Sequence, residues 1–181
     1  MKYIELYADQ LLEIYRKTKN ETFEVGYIRA EDEKYIIIEK IDTQGIKNGY
    51  MLLSKKDIDM ISSNTEYLDE IKILMNENSK ENILNSYIYK VSELEIDSKK
   101  VIINIIKELI SKNIICEIKL FDKDTIILGF IKEIIDDKKI LVSYFKEKNL
   151  INIDDIYNIS INSLKQRKNY MFKNVKETNY D

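Results

Sequence analysis

Apolar and polar positions alternate in short runs through most of this chain, and one succession of runs occurs twice. The first copy reads Phe23-Glu-Val-Gly-Tyr-Ile28, then Leu52-Leu53, Asp57-Ile58 and Ile61-Ser62. The second reads Ile127-Leu-Gly-Phe-Ile131, then Leu150-Ile151, Asp155-Ile156 and Ile159-Ser160. Glu13-Ile14 aligns with Glu117-Ile118, Gly26 with Gly129 and Asp57-Ile58 with Asp155-Ile156, at offsets of 104, 103 and 98. The offset changes only within residues 17–22 and 42–49, both polar segments with turn chemistry, where length changes are tolerated. The chain reads as an internal duplication.

Within each copy a period of two predicts short strands. In the first copy these are Leu12–Tyr15, Phe23–Arg29, Tyr35–Glu39, Tyr50–Leu53 and Ile58–Ile61, with Ser54–Asp57 as a one-turn connector. Tyr35-Ile-Ile-Ile-Glu39 is nearly continuous in apolar character and suits a strand buried on both faces. Asn48-Gly49 reads as a hairpin turn, because both residues accept positive φ. In the second copy the strands are Ile114–Phe121, Thr125–Ile135, Ile140–Phe145, Leu150–Ile153 and Tyr157–Ile161. Turns are expected at Asp136-Asp-Lys-Lys139 and at Lys146–Asn149.

Helical spacing appears between these sets. Ile4, Tyr7, Ala8 and Leu11 mark a short helix over residues 3–11. Ser63-Asn-Thr-Glu66 fits a capping box ahead of Tyr67, Leu68, Ile71 and Leu74. Residues 76–82 are polar, and 83–96 suit either a helix or a strand, with a helix favoured. Val101, Ile102, Ile105, Ile106, Leu109 and Ile110 form a wide apolar stripe, capped by Asp97 or Ser98. The expected organisation is a helix, first strand set and following helix over 1–75, a linker over 76–97, a second helix and strand set over 98–168, and a polar tail over 169–181.

Composition narrows the chemistry. The chain has 181 residues, is 44% hydrophobic and carries 29 basic against 32 acidic side chains, for a net charge of −3, so no strong field of either sign is implied. It has no His, Pro or Trp, and Cys116 is its one cysteine, which excludes an intrachain disulfide and a cysteine metal cluster. The acids in Met1–Asp9 fall where a signal peptide needs an apolar core, and no run approaches a membrane span, so a cytoplasmic protein is expected.

The elements and residues Val25-Gly-Tyr-Ile28, Ile41-Asp42, Gly45, Asn48-Gly-Tyr50, Asp57-Ile58, Ile61 and Tyr67-Leu68 resemble the Sm-like (SH3-like) small barrel. They are similar in particular to duplicated Sm-like proteins of low-GC Gram-positive bacteria. The resemblance covers nearly the whole chain and implies an α+β, mainly β fold. It implies two tandem five-stranded small barrels, each preceded by a helix and joined by a helical linker. Sm proteins that bind RNA do so through an Asp-x-apolar-Met-Asn element and an Arg-Gly element. Arg29-Ala-Glu-Asp-Glu-Lys34 matches neither, so no RNA-contacting residue carries over.

Candidate residues divide between chemistry and structure. Gly26 and Gly129 inside strands are expected to permit the bend that closes a small barrel. Cys116 has no histidine to act as its base, and reads as a small core residue. Asp154-Asp155, Asp136-Asp137 and Glu31-Asp32-Glu33 read as solvated turns rather than metal ligands. Lys56 aligns with Asp154, an opposition of charge that suits pairing between barrels, within one chain or between chains. Tyr27, Tyr35, Tyr50, Tyr87 and Tyr89 offer an aromatic groove, against ordinary rim packing as the simpler reading. Lys55, Lys56 and the tail Lys165-Gln-Arg-Lys168, Lys173 and Lys176, with Tyr170 and Phe172, have the basic-aromatic character of nucleic-acid binders, set against an acidic chain.

The expectation is a non-enzymatic cytoplasmic interaction or assembly module, with a protein partner or self-association, no cofactor and no metal. Its candidate binding surface is Tyr27, Arg29, Tyr50, Lys55 and Lys56. Weak RNA binding is the alternative.

Overall fold

The computed structural model describes residues 2–17, 23–84, 93–121 and 126–178. Its strands are β1 (Leu12–Arg16), β2 (Phe23–Glu31), β3 (Tyr35–Ile41), β4 (Lys47–Ser54) and β5 (Ile58–Ser63), followed by β6 (Ile115–Leu120), β7 (Ile126–Ile135), β8 (Lys139–Tyr144), β9 (Glu147–Asn152) and β10 (Ile156–Ile161). Helices α1 (Tyr3–Leu6), α2 (Glu66–Lys80), α3 (Val101–Ser111) and α4 (Leu164–Thr178) flank them. One 3-10 turn, Lys55–Asp57, precedes β5 and another, Ile153–Asp155, precedes β10, as the predicted one-turn connector requires.

Among the described residues, the two separate barrels joined by a helical linker that the sequence suggests are not formed. All ten strands belong to one open antiparallel sheet, in the order β5-β1-β2-β3-β4-β10-β6-β7-β8-β9. The joint between the copies is a ladder of β4 against β10, pairing Leu53 with Asn158, Leu52 with Ile159, Met51 with Ser160 and Tyr50 with Ile161. The physical reason is a shared core. Tyr35, Ile37, Tyr50 and Leu52 of the first copy are buried in one cluster with Ile105, Ile106 and the inner residues of the second. The alternate residues of the same strands, Ile36, Ile38, Met51 and Leu53, pack with Leu12, Ile14, Ile28 and Ile58 of their own copy. Strand β3 is therefore buried on both faces, as its continuous apolar run predicts, but the second face is covered by the other half of the molecule.

Local chemistry sets the connections. The β3–β4 turn is not at Asn48-Gly49, which lie inside β4. It is made by Asp42, whose Oδ1 accepts from the amides of Gln44 and Ile46 at 2.9 and 3.0 Å, with Gly45 at φ +73°. Asp136 and Asp137 both hold positive φ in the β7–β8 turn. Thr65, rather than Ser63, caps α2 by accepting from Leu68 N–H at 3.2 Å. That helix continues through the polar residues 76–80, where the sequence suggests a linker. Helix α3 begins later than its predicted caps, at Val101, whose amide donates to Asp32 Oδ2 of the first copy at 2.8 Å. The polar tail begins inside α4, which anchors Tyr170 against Phe130 and Phe145 at 5.1 and 5.8 Å. The predicted helix over 83–96 falls largely on residues 85–92, which lie outside the described residues together with Tyr87 and Tyr89. No helix among the described residues is long and apolar enough to cross a membrane.

Gly26 and Gly129 have a reason other than barrel closure. A Cβ at Gly26 would stand 2.2 Å from the Glu39 carbonyl oxygen, and one at Gly129 would stand 2.7 Å from that of Ser143. Each glycine lets the neighbouring strand of its own copy approach. Gly26→Ala and Gly129→Ala are expected to lower unfolding free energy by about 1–3 kcal/mol through overpacking. Gly26→Ala should cost more, in urea titrations run beside surface controls. Wild-type midpoints for both variants would refute the close-approach account.

Candidate functional site

The sequence-derived surface residues are distributed among internal partners. Tyr27 is half-buried, stacks under the Arg29 guanidinium at 5.0 Å and reaches Met75 Sδ. Arg29 Nε donates to Glu39 Oε2 at 2.8 Å, and Lys47 Nζ lies 2.8 Å from Glu39 Oε1. Tyr50 is in the shared core, with its phenol pKa raised by burial. Lys55 pairs with buried Glu31, which also accepts Ile4 N–H, and its ammonium sits 5.2 Å from the Tyr3 ring centroid. Lys56 is exposed, and its carbonyl accepts from Lys17 Nζ at 3.0 Å. Tyr27, Arg29 and Tyr50 thus gather around Glu39, whereas Lys55 and Lys56 lie at the 3-10 turn. Tyr35 is also core, donating to the Ile156 carbonyl at 3.2 Å, so the proposed aromatic groove is not formed by Tyr35 and Tyr50.

The acidic turns are likewise structural. Asp32 Oδ1 accepts from Lys34 and Tyr35 amides at 2.8 Å each while its other oxygen caps α3. Asp154 meets Lys34, at 3.8 Å and in full solvent, and not the aligned Lys56. Cys116 is wholly buried, its Sγ 3.6 Å from the Gly129 carbonyl, and burial pushes its thiol pKa up to about 12. A thiol so protonated is a poor nucleophile at neutral pH.

One polar cluster spans the two copies. Arg16 Nε donates to Asp57 Oδ2 and Tyr157 Oη donates to Asp57 Oδ1, both at 2.6 Å. The Arg16 guanidinium covers the Tyr157 ring at 4.8 Å. Burial and the bond to Asp57 push the Tyr157 phenol up to about 12, so it remains a donor. All three act as a clamp on the joint.

Among the described residues, the two end strands of the sheet carry exposed large apolar side chains, as do Ile73 on α2 and Phe172 on α4. Strand β5 closes one end and β9 the other, each with one neighbour among the described residues. Met60 of β5 is 50% exposed and Leu150 of β9 is 57% exposed. An edge strand presents a row of backbone donors and acceptors, and natural edges are usually blunted by charge or cover. Here Asp59, Glu147 and Lys148 supply charge beside the apolar side chains. Neither Met60 nor Leu150 is singled out by its residue type. The signal that could have found them is the repeat itself, in which each stands for a buried position of the other copy. No family model, curated protein or solved structure matches this chain.

Two predictions follow from the charged groups. Asp57→Ala leaves the Arg16 guanidinium, 9% exposed, with the Glu24 carboxylate at 3.9 Å in place of its short bond to Asp57, and is expected to cost about 3 kcal/mol. Tyr157→Phe removes one hydrogen bond and should cost nearer 1–2 kcal/mol. Equal losses in calorimetry would count against the clamp. At Glu39, burial alone would raise the carboxyl pKa, but the bonds from Lys47 and Arg29 outweigh it and hold it below the ordinary value. A carboxylate with a depressed folded pKa stabilises fully above its unfolded pKa and loses that contribution as pH falls through the folded one. Glu39→Gln should therefore be less stable than wild type at neutral pH, with the gap narrowing on acidification below the ordinary carboxylate range. A gap constant with pH would refute it.

Proposed function

We propose that the protein is a non-enzymatic, cytoplasmic interaction or assembly module that binds polypeptide through the open edges of its sheet. The observation that carries this reading is the pair of edges, each with a large apolar side chain in solvent and a single neighbouring strand among the described residues. Strand addition at such an edge draws affinity from main-chain hydrogen bonds and specificity from alternate side chains. Arg29 and Lys55 support a polypeptide over an RNA partner, since both are engaged by buried carboxylates. The buried, unpaired thiol of Cys116 fits a reducing compartment.

Photo-crosslinking residues placed at Met60 and at Leu150 of the full chain test the reading in cells. Discrete polypeptide adducts are expected from both edges and not from a control at exposed Glu70 on α2. Absence of edge adducts, together with salt-sensitive binding of single-stranded RNA in an anisotropy titration, would favour the RNA alternative instead.

A further inference from the structure

Helices α2 and α4 occupy the same place in the two copies. Asn64 and Asn162, at an offset of 98, both hold positive φ, 57° and 53°. At the same offset Thr65 Oγ1 accepts from Leu68 N–H and Ser163 Oγ from Gln166 N–H, at 3.2 and 3.4 Å. Further along, the alignment sets Ile73-Leu74 beside Met171-Phe172. All four side chains are exposed, Ile73 at 63%, Leu74 at 41%, Met171 at 38% and Phe172 at 50%. Both helices therefore turn a pair of large apolar side chains outward at one position.

The charge around these pairs is opposite. Helix α2 has four acidic and two basic residues, whereas α4 has one acidic and five basic. The two halves follow suit, with 20 acidic and 13 basic residues over 1–97 against 12 and 16 over 98–181. On α4 the exposed residues Lys165, Lys168 and Asn169 adjoin Met171 and Phe172. The Lys168 ammonium lies 5.7 Å from the Phe172 ring centroid. Gln166 and Arg167 are buried, and Tyr170 is packed against Phe130 and Phe145. Lysine and large apolar side chains thus share the outward face of one helix. Val175 and Lys176 repeat that combination in sequence, at the helical spacing of four from Met171 and Phe172.

We infer that α4 lies on an anionic lipid surface, with Met171 and Phe172 at the boundary of headgroups and acyl chains and Lys165 and Lys168 among the phosphates. A lysine stem follows apolar surface while its ammonium stays with water and anions, so both residue types suit one face. An interfacial helix gains from buried apolar area and from attraction to anionic lipid together. Single-stranded RNA would use the same cations but would need aromatic rings on which its bases stack. Tyr170, the ring that would extend Phe172 into such a platform, is held in the cluster with Phe130, Tyr144 and Phe145. Met171 offers an acyl chain apolar surface and offers a base no ring. Helix α2 carries the same exposed pair amid acidic residues, which such a surface repels. This contact is in addition to the sheet edges and does not depend on the reading proposed for them.

Because the chain has no tryptophan, Phe172→Trp supplies a single fluorescent reporter, with Ile73→Trp on α2 as its control. Each variant of the full chain is titrated with vesicles of phosphatidylcholine, alone or with phosphatidylserine added. Phe172→Trp emission should shift to the blue with the anionic vesicles only, and Ile73→Trp emission should stay as it is in buffer. Co-sedimentation with the same vesicles then separates the two contributions. Lys165→Gln/Lys168→Gln should bind roughly tenfold or more weakly than wild type, and added salt should release wild type. Met171→Ser/Phe172→Ser should also lose roughly tenfold, because it removes apolar surface and keeps every charge. All of these positions are exposed, so melting temperatures should match wild type. No vesicle binding at low salt, equal binding to phosphatidylcholine alone, or an equal shift at Ile73→Trp would overturn the inference. So would wild-type affinity in Met171→Ser/Phe172→Ser, the result expected of a purely electrostatic contact such as one with an RNA backbone.

Discussion

The ladder between β4 and β10 is the contact on which the rest of the structure depends. It converts a duplicated sequence into one sheet and gives β3 and β4 a second buried face. Leu52 and Ile37 are fully buried in the cluster shared by the two copies. Burying a side chain of that size contributes about 1.5–3 kcal/mol. The exposed Lys34–Asp154 pair at the same joint is worth at most about 1 kcal/mol. Packing therefore holds the copies together, and charge serves to align them. Asp32 illustrates the second role: one carboxylate shapes the β2–β3 turn and caps the helix of the other copy.

The two copies have diverged where their neighbours differ. Strand β3 has apolar residues on both faces, whereas β8, its counterpart, alternates Ile140, Val142 and Tyr144 inward with half-buried Leu141 and Ser143. β3 lies next to a strand that is covered, and β8 next to an open edge. Position 157 carries the tyrosine that binds Asp57, while the aligned position 59 carries an exposed aspartate. Gly49 has φ +76°, and a Cβ there would stand 2.2 Å from the Ile161 carbonyl, so the joint needs a glycine at that point. The aligned residue at the free edge is Glu147. The copy inside the joint thus carries residues that pack or pair there, and its counterpart at the edge carries a mixture of charge and apolar surface.

Much of the secondary structure could be read from periodicity, because alternation and turn chemistry are local. The two 3-10 connectors, the strand cores and the apolar stripe of α3 all follow from residues within a few positions of one another. Partner choice is not local. A backbone ladder is chemically the same whether β4 meets its own copy or the next, so the residues of β4 alone do not distinguish closed barrels from one open sheet. The Tyr35–Glu39 run did hold the relevant clue, since a strand covered on both faces needs more cover than one small barrel supplies. Asn48-Gly49 was misleading for a similar reason: its conformational freedom serves a contact with β10, 112 positions from Gly49 to Ile161.

Reactive side chains do not mark the candidate site. Arg29, Lys55 and Tyr50 are the residue types that recognition surfaces use, and each is committed to an internal carboxylate or to the core. A chain of balanced charge with 34% charged residues offers many such side chains, and most neutralise one another within the fold. Met60 and Leu150 are ordinary apolar residues whose meaning depends on what lies beside them. Duplication supplies that context, because the same position is observed once inside a joint and once outside it.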